Sequence, residues 1–213
     1  MKSPRLIFSI AHSKFFTMVG IVNYGAGNIF SLTAALDRVG ISYGMINSVD
    51  DFDRYERIII PGVGHAGAAM EKLKESGLAE PICRLTKPVL GICVGMQLLT
   101  AHSEEGDADL LEIVPLRTLH FDKRVGEKVP HMGWNAISPK KGCPLFQDIP
   151  DNSYFYFVHS YFIESDENYT SAFCHYGIDF SAALQKDNFF GVQFHPEKSG
   201  EVGERVLLNF STI

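Results

Sequence analysis

Residues 87–97 have the sequence KPVLGICVGMQ, in which a short apolar run leads to a cysteine between two glycines. The run at 89–92 predicts a buried strand, and the residues after Cys93 predict the start of a helix. Gly91 and Gly95 allow a sharp turn, because neither has a Cβ that would collide with the neighbouring backbone. Such a strand-to-helix turn is typical of a nucleophile elbow, which holds the central side chain at the tip with its sulfur exposed.

A thiol at this point faces the first turn of a helix, where unpaired N–H groups and the helix dipole favour the thiolate. The alternative is a buried free cysteine at a strand end, since free cysteine is among the most buried residue types. The elbow alone does not decide between these two interpretations. A second motif, GVQFHPE at 191–197, favours the nucleophile.

A cysteine nucleophile needs a base, and a histidine base needs an acceptor that fixes its tautomer. His195 and Glu197 supply this pair. Pro196 should end a strand predicted over 189–194, so we expect His195 on the rim of the sheet rather than in the core. The alternative is a solvated His-Pro-Glu loop, which the presence of the elbow disfavours.

Attack on a carbonyl carbon also requires donors for the oxyanion that forms. The backbone N–H of Val94, directly after the cysteine, is the first candidate. The second lies in the sequence PGVG at 61–64, where glycines let the backbone approach a substrate and permit a peptide flip. By itself that sequence is also compatible with an ordinary turn at a strand end.

The composition indicates one globular domain. The chain has 213 residues, 46% of them hydrophobic, with a formal net charge of -6 and a pI near 5.7. This charge argues against a nucleic-acid partner, which requires clustered lysine and arginine. No stretch has the roughly 18 consecutive apolar residues of a membrane span. The four cysteines form no C-x-x-C pair, which favours free thiols in the cytoplasm and argues against a zinc site.

Residues 1–17 mix basic and apolar residues in the order of a targeting signal, but their apolar part is short and interrupted. Met18 directly precedes the first convincing strand. We therefore predict that 1–17 are an extension, either ahead of the real start or a disordered tail, and that the domain covers 18–213.

The first half of the chain alternates between strands and helices. The predicted strands lie at 19–22, 41–46, 57–60 and 89–92, and the predicted helices at 29–39, 66–74 and 78–85. Continuously apolar strands that alternate with helices indicate a parallel sheet covered on both faces. After about residue 110, alternating segments predict antiparallel strands at 111–116, 154–158, 171–174, 181–185 and 189–194, before a helix at 201–210. The predicted fold class is therefore single-domain α/β, with a central, mostly parallel sheet flanked by helices and a smaller antiparallel sheet in the C-terminal half.

The elbow and the sequence QFHPE at 193–197 resemble the Cys-His-Glu motifs of class I glutamine amidotransferases. These are α/β domains that hydrolyse glutamine and release ammonia for a synthase. Four further stretches, YGAGN at 24–28, PHMGWN at 130–135, FVHSY at 157–161 and PEKSG at 196–200, are similar to the glutaminase subunit of imidazole glycerol phosphate synthase, from histidine biosynthesis. The resemblance extends from about Met18 to the C-terminus. Asn23 departs from it, because an aspartate is frequent there.

The resemblance implies a mechanism. Cys93 would form a glutamyl thioester, His195 would protonate the departing ammonia and then activate water, and Glu197 would orient His195. Val94 would supply one oxyanion donor, and Val63 and Gly64 would form the second when the partner is engaged. The substrate pocket would be built from Gly62, Gln97, Glu105, His159, Ser160 and Tyr161.

The resemblance also implies a partner. Asn28, Trp134 and Tyr156 would lie on the face that docks a TIM-barrel cyclase subunit in a heterodimer. That subunit would use the ammonia to make imidazole glycerol phosphate and the ribotide AICAR. No cofactor and no metal are implied, and no phosphate-binding glycine loop followed by Lys-Ser/Thr is present.

Several alternatives stay open at this point. Trp134, the only tryptophan, could instead anchor the core. The chain could serve another synthase, such as anthranilate or aminodeoxychorismate synthase. It could be a docking subunit with a vestigial triad, or a stand-alone cysteine hydrolase or peptidase that acts on other substrates without a partner.

Overall fold

The computed structural model describes residues 18–122 and 125–213. The predicted extension at 1–17 lies outside the described residues. In chain order the strands are β1 Val19–Val22, β2 Tyr43–Ile46, β3 Arg57–Ile60, β4 Val89–Ile92, β5 Thr100–Ser103, β6 Ala108–Asp109, β7 Val114–His120, β8 His131–Pro139, β9 Ser153–His159, β10 Tyr161–Ile163, β11 Thr170–Tyr176, β12 Ile178–Lys186 and β13 Phe189–Val192. The α-helices are α1 Ile29–Val39, α2 Ala66–Glu75, α3 Ala79–Cys83, α4 Val94–Gln97 and α5 Gly200–Phe210.

Nine of the described strands form one large sheet, which has a parallel half and an antiparallel half. Its order is β2-β1-β3-β4-β13-β12-β11-β8-β9. The pairs from β2 to β13 are parallel, whereas those from β13 to β9 are antiparallel. The predicted parallel sheet is thus confirmed, and β13 joins it to the antiparallel strands.

The antiparallel assignment of the segment at 189–194 is correct for only one of its two neighbours. Strand β13 pairs antiparallel with β12 but parallel with β4, which places Gly191 beside Gly91. An alternating apolar pattern indicates that a strand has one buried face. It does not indicate whether the neighbouring strand runs parallel or antiparallel to it. The residues before His195 therefore lie next to the strand that carries the elbow.

The smaller sheet is present, but it differs from the prediction in composition. Its order is β10-β7-β5-β6, and its central pair, β5 with β7, is parallel. It is therefore mixed rather than antiparallel, and most of the later strands extend the large sheet instead. Strand β8, nine residues long, carries the HMGWN sequence and was missed by the sequence analysis.

Two groups of helices cover the parallel strands. Helix α1 packs against α5, and α2 packs against α3 and α4. Strands β1, β4 and β13 are buried along their whole length. Because the carboxyl ends of parallel strands meet at one edge of a sheet, the loops after β1, β3 and β4 converge there. These loops carry the Y-G-A-G-N, P-G-V-G and elbow sequences.

Candidate active site

The elbow between β4 and α4 has the geometry that the two glycines predict. Cys93 has φ +54° and ψ −110°, a backbone conformation that is costly for a residue with a side chain. A Cβ on Gly95 would overlap the carbonyl oxygen of Ile60, and one on Gly91 would overlap the carbonyl oxygen of Gly95. Strand, turn and helix can therefore close on each other only if both positions are glycine.

The expectation that the sulfur is exposed is wrong, because only 4% of Cys93 is accessible. The residue lies in the wall of a cavity, and Gln193 of the segment after β13 covers it from the side, with Nε2 3.7 Å from Sγ. A buried thiol at the end of β4 is what the alternative interpretation of the elbow expects. The cavity beside it, however, gives a small molecule access to the sulfur.

His195 and Glu197 form a close pair, in which Nδ1 lies 2.8 Å from Oε1. The prediction that His195 lies on the rim is wrong, since only 1% of it is accessible. Strand β13 ends at Val192, earlier than predicted, and the His195 N–H donates to the carbonyl oxygen of Tyr156 at 2.9 Å. The Ser199 hydroxyl donates to the His195 carbonyl oxygen at 2.6 Å. These bonds tie the loop to β9, which buries the pair.

Charge around His195 favours the imidazolium. Burial of the ring disfavours the charged form, but the Cys93 thiolate and the Glu197 carboxylate outweigh this cost and raise the pKa of His195 to about 10. The Nε2 atom has no conventional hydrogen bond to any described residue, so it is left to the thiolate and to a bound molecule. Burial, with the negative charge of Cys93 second, also raises the pKa of Tyr24 above its ordinary value.

A cavity of about 710 Å³ contains most of the predicted site residues. Its lining includes the predicted residues Asn28, Val63, Gly64, Cys93, Val94, Gln97, Glu105, His159, Ser160, Tyr161 and His195. Glu197 and Gly62 do not line it but lie on a smaller adjoining pocket. Trp134 and Tyr156 line neither. The structure thus brings eleven of the fifteen predicted residues together around one space.

The loop at 61–64 lies against the elbow. A Cβ on Gly62 would overlap the backbone nitrogen of Gly95, so the two loops touch backbone to backbone. The Tyr24 hydroxyl donates to the carbonyl oxygen of Pro61 at 2.7 Å and holds the start of the loop. Val94 is the first residue of α4, and the first N–H groups of a helix have no partner within it. A donor therefore faces the region beside Cys93.

The polar groups of the cavity differ in how far they are already paired. Gln97 donates from Nε2 to the carbonyl oxygen of Tyr161 at 3.2 Å, whereas its buried Oε1 has no partner among the described residues. Glu105 accepts at Oε2 from the Ala66 N–H at 2.6 Å, at the start of α2. His159 is bonded through Nδ1 to the Tyr161 carbonyl oxygen at 2.7 Å. Of these groups, Gln97 Oε1 is a buried acceptor with no partner among the described residues.

The outer face of β8 and β9 is aromatic and exposed. Trp134 is 56% accessible and pairs in register with Tyr156, with ring centroids 6.2 Å apart. The alternative that Trp134 anchors the core is therefore wrong. Met132, on the same face, is 66% accessible. Asn28 accepts a hydrogen bond from the Ser31 N–H and caps α1, a structural role that the sequence analysis missed.

Sequence reasoning also missed several residues of the site. Gly27, Pro130, Val158 and Lys198 line the cavity. Gln193 contacts the sulfur of Cys93 directly. The sequence held only a weak signal for Gln193, its position two residues before His195 at the end of the predicted strand, because β13 in fact ends at Val192.

Two further classes of site receive no support in the described ranges. Within 18–122 and 125–213, no three histidine, cysteine or acidic residues are grouped as metal ligands. Over the same residues, no helix is long and apolar enough to cross a membrane. The α/β sheet thus carries a cysteine at an elbow and a buried histidine–glutamate pair close to one cavity.

Comparisons with known proteins give the family. The model of the family "Glutamine amidotransferase class-I" matches residues 21–213. A protein of Haemophilus influenzae (strain 86-028NP) named imidazole glycerol phosphate synthase subunit HisH is 45% identical over 194 residues, which cover 91% of this chain and 96% of the relative. A HisH of Bacteroides thetaiotaomicron is 46% identical over 193 residues, or 90% and 97% of the two chains. The chain therefore belongs to the class I glutamine amidotransferases and, within them, to the HisH family.

Solved structures of lower identity share the fold. The structure of PurLQS from Thermotoga maritima has a TM-score of 0.68 at 20% identity, with 91% of this chain and 96% of that chain covered. A glutamine amidotransferase from Thermotoga maritima has a TM-score of 0.63 at 16% identity, with coverage of 92% and 83%. The resemblance found in the sequence is thus confirmed for both fold and family.

Proposed function

We propose that this glutamine amidotransferase hydrolyses glutamine to glutamate and ammonia with Cys93, His195 and Glu197, and passes the ammonia to a cyclase subunit. The cyclase would make imidazole glycerol phosphate and the ribotide AICAR in histidine biosynthesis. The observation that carries the proposal is the buried pair of His195 and Glu197 at 2.8 Å, with His195 and the elbow cysteine lining the same cavity. The relatives named as subunits of imidazole glycerol phosphate synthase support the assignment to that synthase.

The first step forms a thioester. The Cys93 thiolate attacks the side-chain carbonyl carbon of glutamine, so that a C–S bond forms and the carbonyl oxygen becomes an oxyanion. His195 then gives its Nε2 proton to the nitrogen, the C–N bond breaks, and ammonia leaves. The raised pKa of His195 supports this role, because the imidazolium carries the required proton at neutral pH.

The second step releases glutamate. Neutral His195 takes a proton from a water molecule, whose oxygen attacks the thioester carbon. The C–S bond then breaks, and the thiolate and the imidazolium are restored. Glu197 accepts from Nδ1 throughout, which keeps Nε2 directed to the reacting atoms and stabilises the positive ring.

Two backbone donors would bind the oxyanion. The Val94 N–H at the start of α4 is one, and the loop containing Val63 and Gly64 supplies the other. Gly64 has φ +91°, a conformation open to glycine, so a peptide flip at this position costs little. By analogy with the family, we propose that the partner controls this flip.

Glutamine offers an ammonium, a carboxylate and an amide for recognition. Glu105 complements the ammonium by charge, and the unpaired Oε1 of Gln97 accepts from a substrate N–H group. Backbone groups of His159, Ser160 and Tyr161 complete the pocket. Gly62 would contribute through the position of the loop rather than by contact, since it does not line the main cavity.

The docking face would contain Trp134, Tyr156 and Asn28. Exposed aromatic residues are frequent anchors of protein interfaces. The Asn28 side chain lies in the cavity wall, so a partner that covers it also covers one side of the cavity. Ammonia that escapes into water becomes ammonium and loses its nucleophilicity, which favours direct transfer within a heterodimer. We place the heterodimer in the cytoplasm.

The experiment that tests this function measures glutamate release from glutamine. The chain is assayed alone, with the cyclase, and with the cyclase plus its nucleotide ligand. Cys93→Ala is the test variant, and Cys83→Ala, at an exposed cysteine away from the cavity, is the matched control. We expect activity that rises steeply in the ligand-loaded complex, is retained in Cys83→Ala and disappears in Cys93→Ala.

Other outcomes favour the alternatives. Equal activity without the partner would indicate a stand-alone hydrolase. No glutamate release under any condition, together with normal binding to the cyclase, would indicate a docking subunit. Activity that requires a different synthase would overturn the assignment to histidine biosynthesis and leave the glutaminase chemistry intact.

A further inference from the structure

We propose that Gln193 is a positioning residue for the nucleophile, with its side-chain amide donating a hydrogen bond to Cys93 Sγ. The proposal rests on the proposed function only in taking Cys93 as the reactive thiol. The Nε2 atom of Gln193 lies 3.7 Å from the sulfur, and Oε1 lies 3.2 Å from Gln97 Nε2. The surrounding hydrogen bonds determine which terminal atom of the Gln193 amide, nitrogen or oxygen, faces the sulfur.

The orientation of Gln193 follows from a carbonyl group that can only accept. The backbone oxygen of Tyr161 lies 3.2 Å from the Gln97 amide, so the Gln97 atom there must be the nitrogen. That same nitrogen faces Gln193 at 3.2 Å, so the Gln193 atom opposite it must be the oxygen. The remaining terminal atom of Gln193, which faces Cys93, is therefore the nitrogen and a donor.

A second chain of hydrogen bonds, through His131 and His159, ends at the same Tyr161 carbonyl oxygen. Asn135 accepts from the Ala136 N–H at Oδ1, so its Nδ2 is the atom that lies 3.3 Å from His131 Nε2. His131 Nε2 must then accept and its Nδ1 donate, 2.9 Å from His159 Nε2. His159 is left with a proton on Nδ1, which donates to the Tyr161 carbonyl oxygen at 2.7 Å.

The two histidines are held in the neutral state that this pattern requires. Burial lowers the pKa of His131 to about 4 and that of His159 to about 3. The hydrogen bonds of the network therefore keep one direction at neutral pH, from β8 to the carbonyl of Tyr161. The orientation of the Gln193 amide follows from the Tyr161 carbonyl oxygen and the Gln97 amide, and His159 is a second donor to that carbonyl.

Gln193 reaches the site through two groups, the Cys93 sulfur and the Gln97 amide. It is fully buried and does not line the cavity, and its N–H donates to the carbonyl oxygen of Ala182 at 2.9 Å. A donor at the sulfur favours the thiolate over the thiol, because hydrogen bonds to charged groups are stronger than those to neutral groups. It also holds the sulfur in one position between the elbow and His195.

The test is alkylation of Cys93 by iodoacetamide in the isolated chain, followed by mass spectrometry at the peptide level from pH 5 to pH 10. Cys83, which is exposed and remote, serves as the internal reference in every sample. For Gln193→Leu we expect alkylation of Cys93 at neutral pH to fall by about tenfold, with its midpoint moved to higher pH, and no change at Cys83. Gln185→Leu, an amide on β12 away from the thiol, is the matched control and should behave as the wild type.

A second variant keeps the proposal testable if Gln193→Leu does not fold. Gln193→Glu keeps the shape and the acceptor for Gln97, but it places a carboxylate beside the sulfur, so the midpoint should again move to higher pH. In the complex with the cyclase, both variants should lower kcat by about tenfold, and Gln193→Glu, which keeps the acceptor for Gln97, should leave KM within about twofold.

Wild-type alkylation in either folded variant would overturn the proposal, as would a raised KM with an unchanged kcat in Gln193→Glu. Alkylation is measured without glutamine or partner, so its outcome is independent of the proposed substrate. A failed glutaminase assay with a shifted alkylation profile would reject the proposed function alone.

Discussion

His195 and Glu197 are joined by a hydrogen bond of 2.8 Å between Nδ1 and Oε1, with side-chain accessibilities of only 2% and 4%. The two residues flank Pro196, at the start of a 3-10 turn that ends at Lys198. The carboxylate fixes the ring so that its other nitrogen is left to Cys93. The second oxygen of Glu197 has no partner among the described residues, so the carboxylate is committed to the imidazole.

Replacing Glu197 by glutamine removes this charge and retains the shape. We expect kcat for glutamine hydrolysis in the complex to fall by roughly 100-fold or more, because the imidazolium loses its stabilising partner. The pKa of His195 should fall relative to the wild type, which NMR titration of the ring measures. Glu201→Gln, at an exposed glutamate in the first turn of α5, is the matched control. A kcat within threefold of the wild type would contradict the role of Glu197.

The His131–His159 pair predicts an acid-sensitive stability. Burial lowers both folded-state pKa values, to about 4 and about 3, whereas the unfolded value is near 6.5. Between these values the unfolded chain binds more protons, so the free energy of unfolding falls as the pH decreases from 6.5 towards 4. The slope should reach about 1.4 kcal/mol per pH unit for each histidine. Above pH 6.5 the two histidines are mostly neutral in both states, so they no longer lower the free energy of unfolding.

Urea unfolding at several pH values measures this slope. His131→Gln should flatten it, because one of the two groups that gain protons on unfolding is removed. His175→Gln is the matched control, since the side chain of His175 is 72% accessible. If the slope is the same in all three proteins, the acid sensitivity does not come from the buried pair.

Gly95→Ala should destabilise the fold and the site together. The added Cβ would overlap the carbonyl oxygen of Ile60, and backbone atoms cannot give way as a flexible side chain can. We expect a loss of about 2–4 kcal/mol in the free energy of unfolding. Gly142→Ala, where nothing lies within 4 Å but φ is +86°, should lose only about 1 kcal/mol. Equal losses would mean that the steric contact at the elbow relaxes without cost.

Trp134→Ala should weaken the partner and leave the chain itself intact. The ring is exposed, so its removal should change the free energy of unfolding by less than about 0.5 kcal/mol. Cyclase binding, measured by isothermal titration calorimetry, should weaken by about 2 kcal/mol or more. Val49→Ala removes an exposed apolar side chain next to β2, at the opposite edge of the large sheet. Equal affinity in both variants would show that the partner docks elsewhere.

Local sequence was sufficient for the elements that depend on neighbouring residues. The four parallel strands, the elbow, and helices α1 and α2 follow from apolar runs, glycines and helical spacing. The pairing of His195 with Glu197 was also predictable, because a proline between them forces a turn. These features depend on contacts within a few residues, which can be predicted from the local sequence.

Long-range contacts decided the rest. Strand β13 lies beside β4 because the chain returns across the sheet, and this places Gln193 against Cys93, 100 positions apart in the sequence. Two other contacts between distant segments join His195 to Tyr156 of β9 and Glu105 to Ala66 at the start of α2. The sequence by itself therefore determined which groups perform the proposed chemistry. Only the tertiary structure decided how deeply they are buried and what holds them, because burial and hydrogen-bond partners depend on segments far apart in the chain.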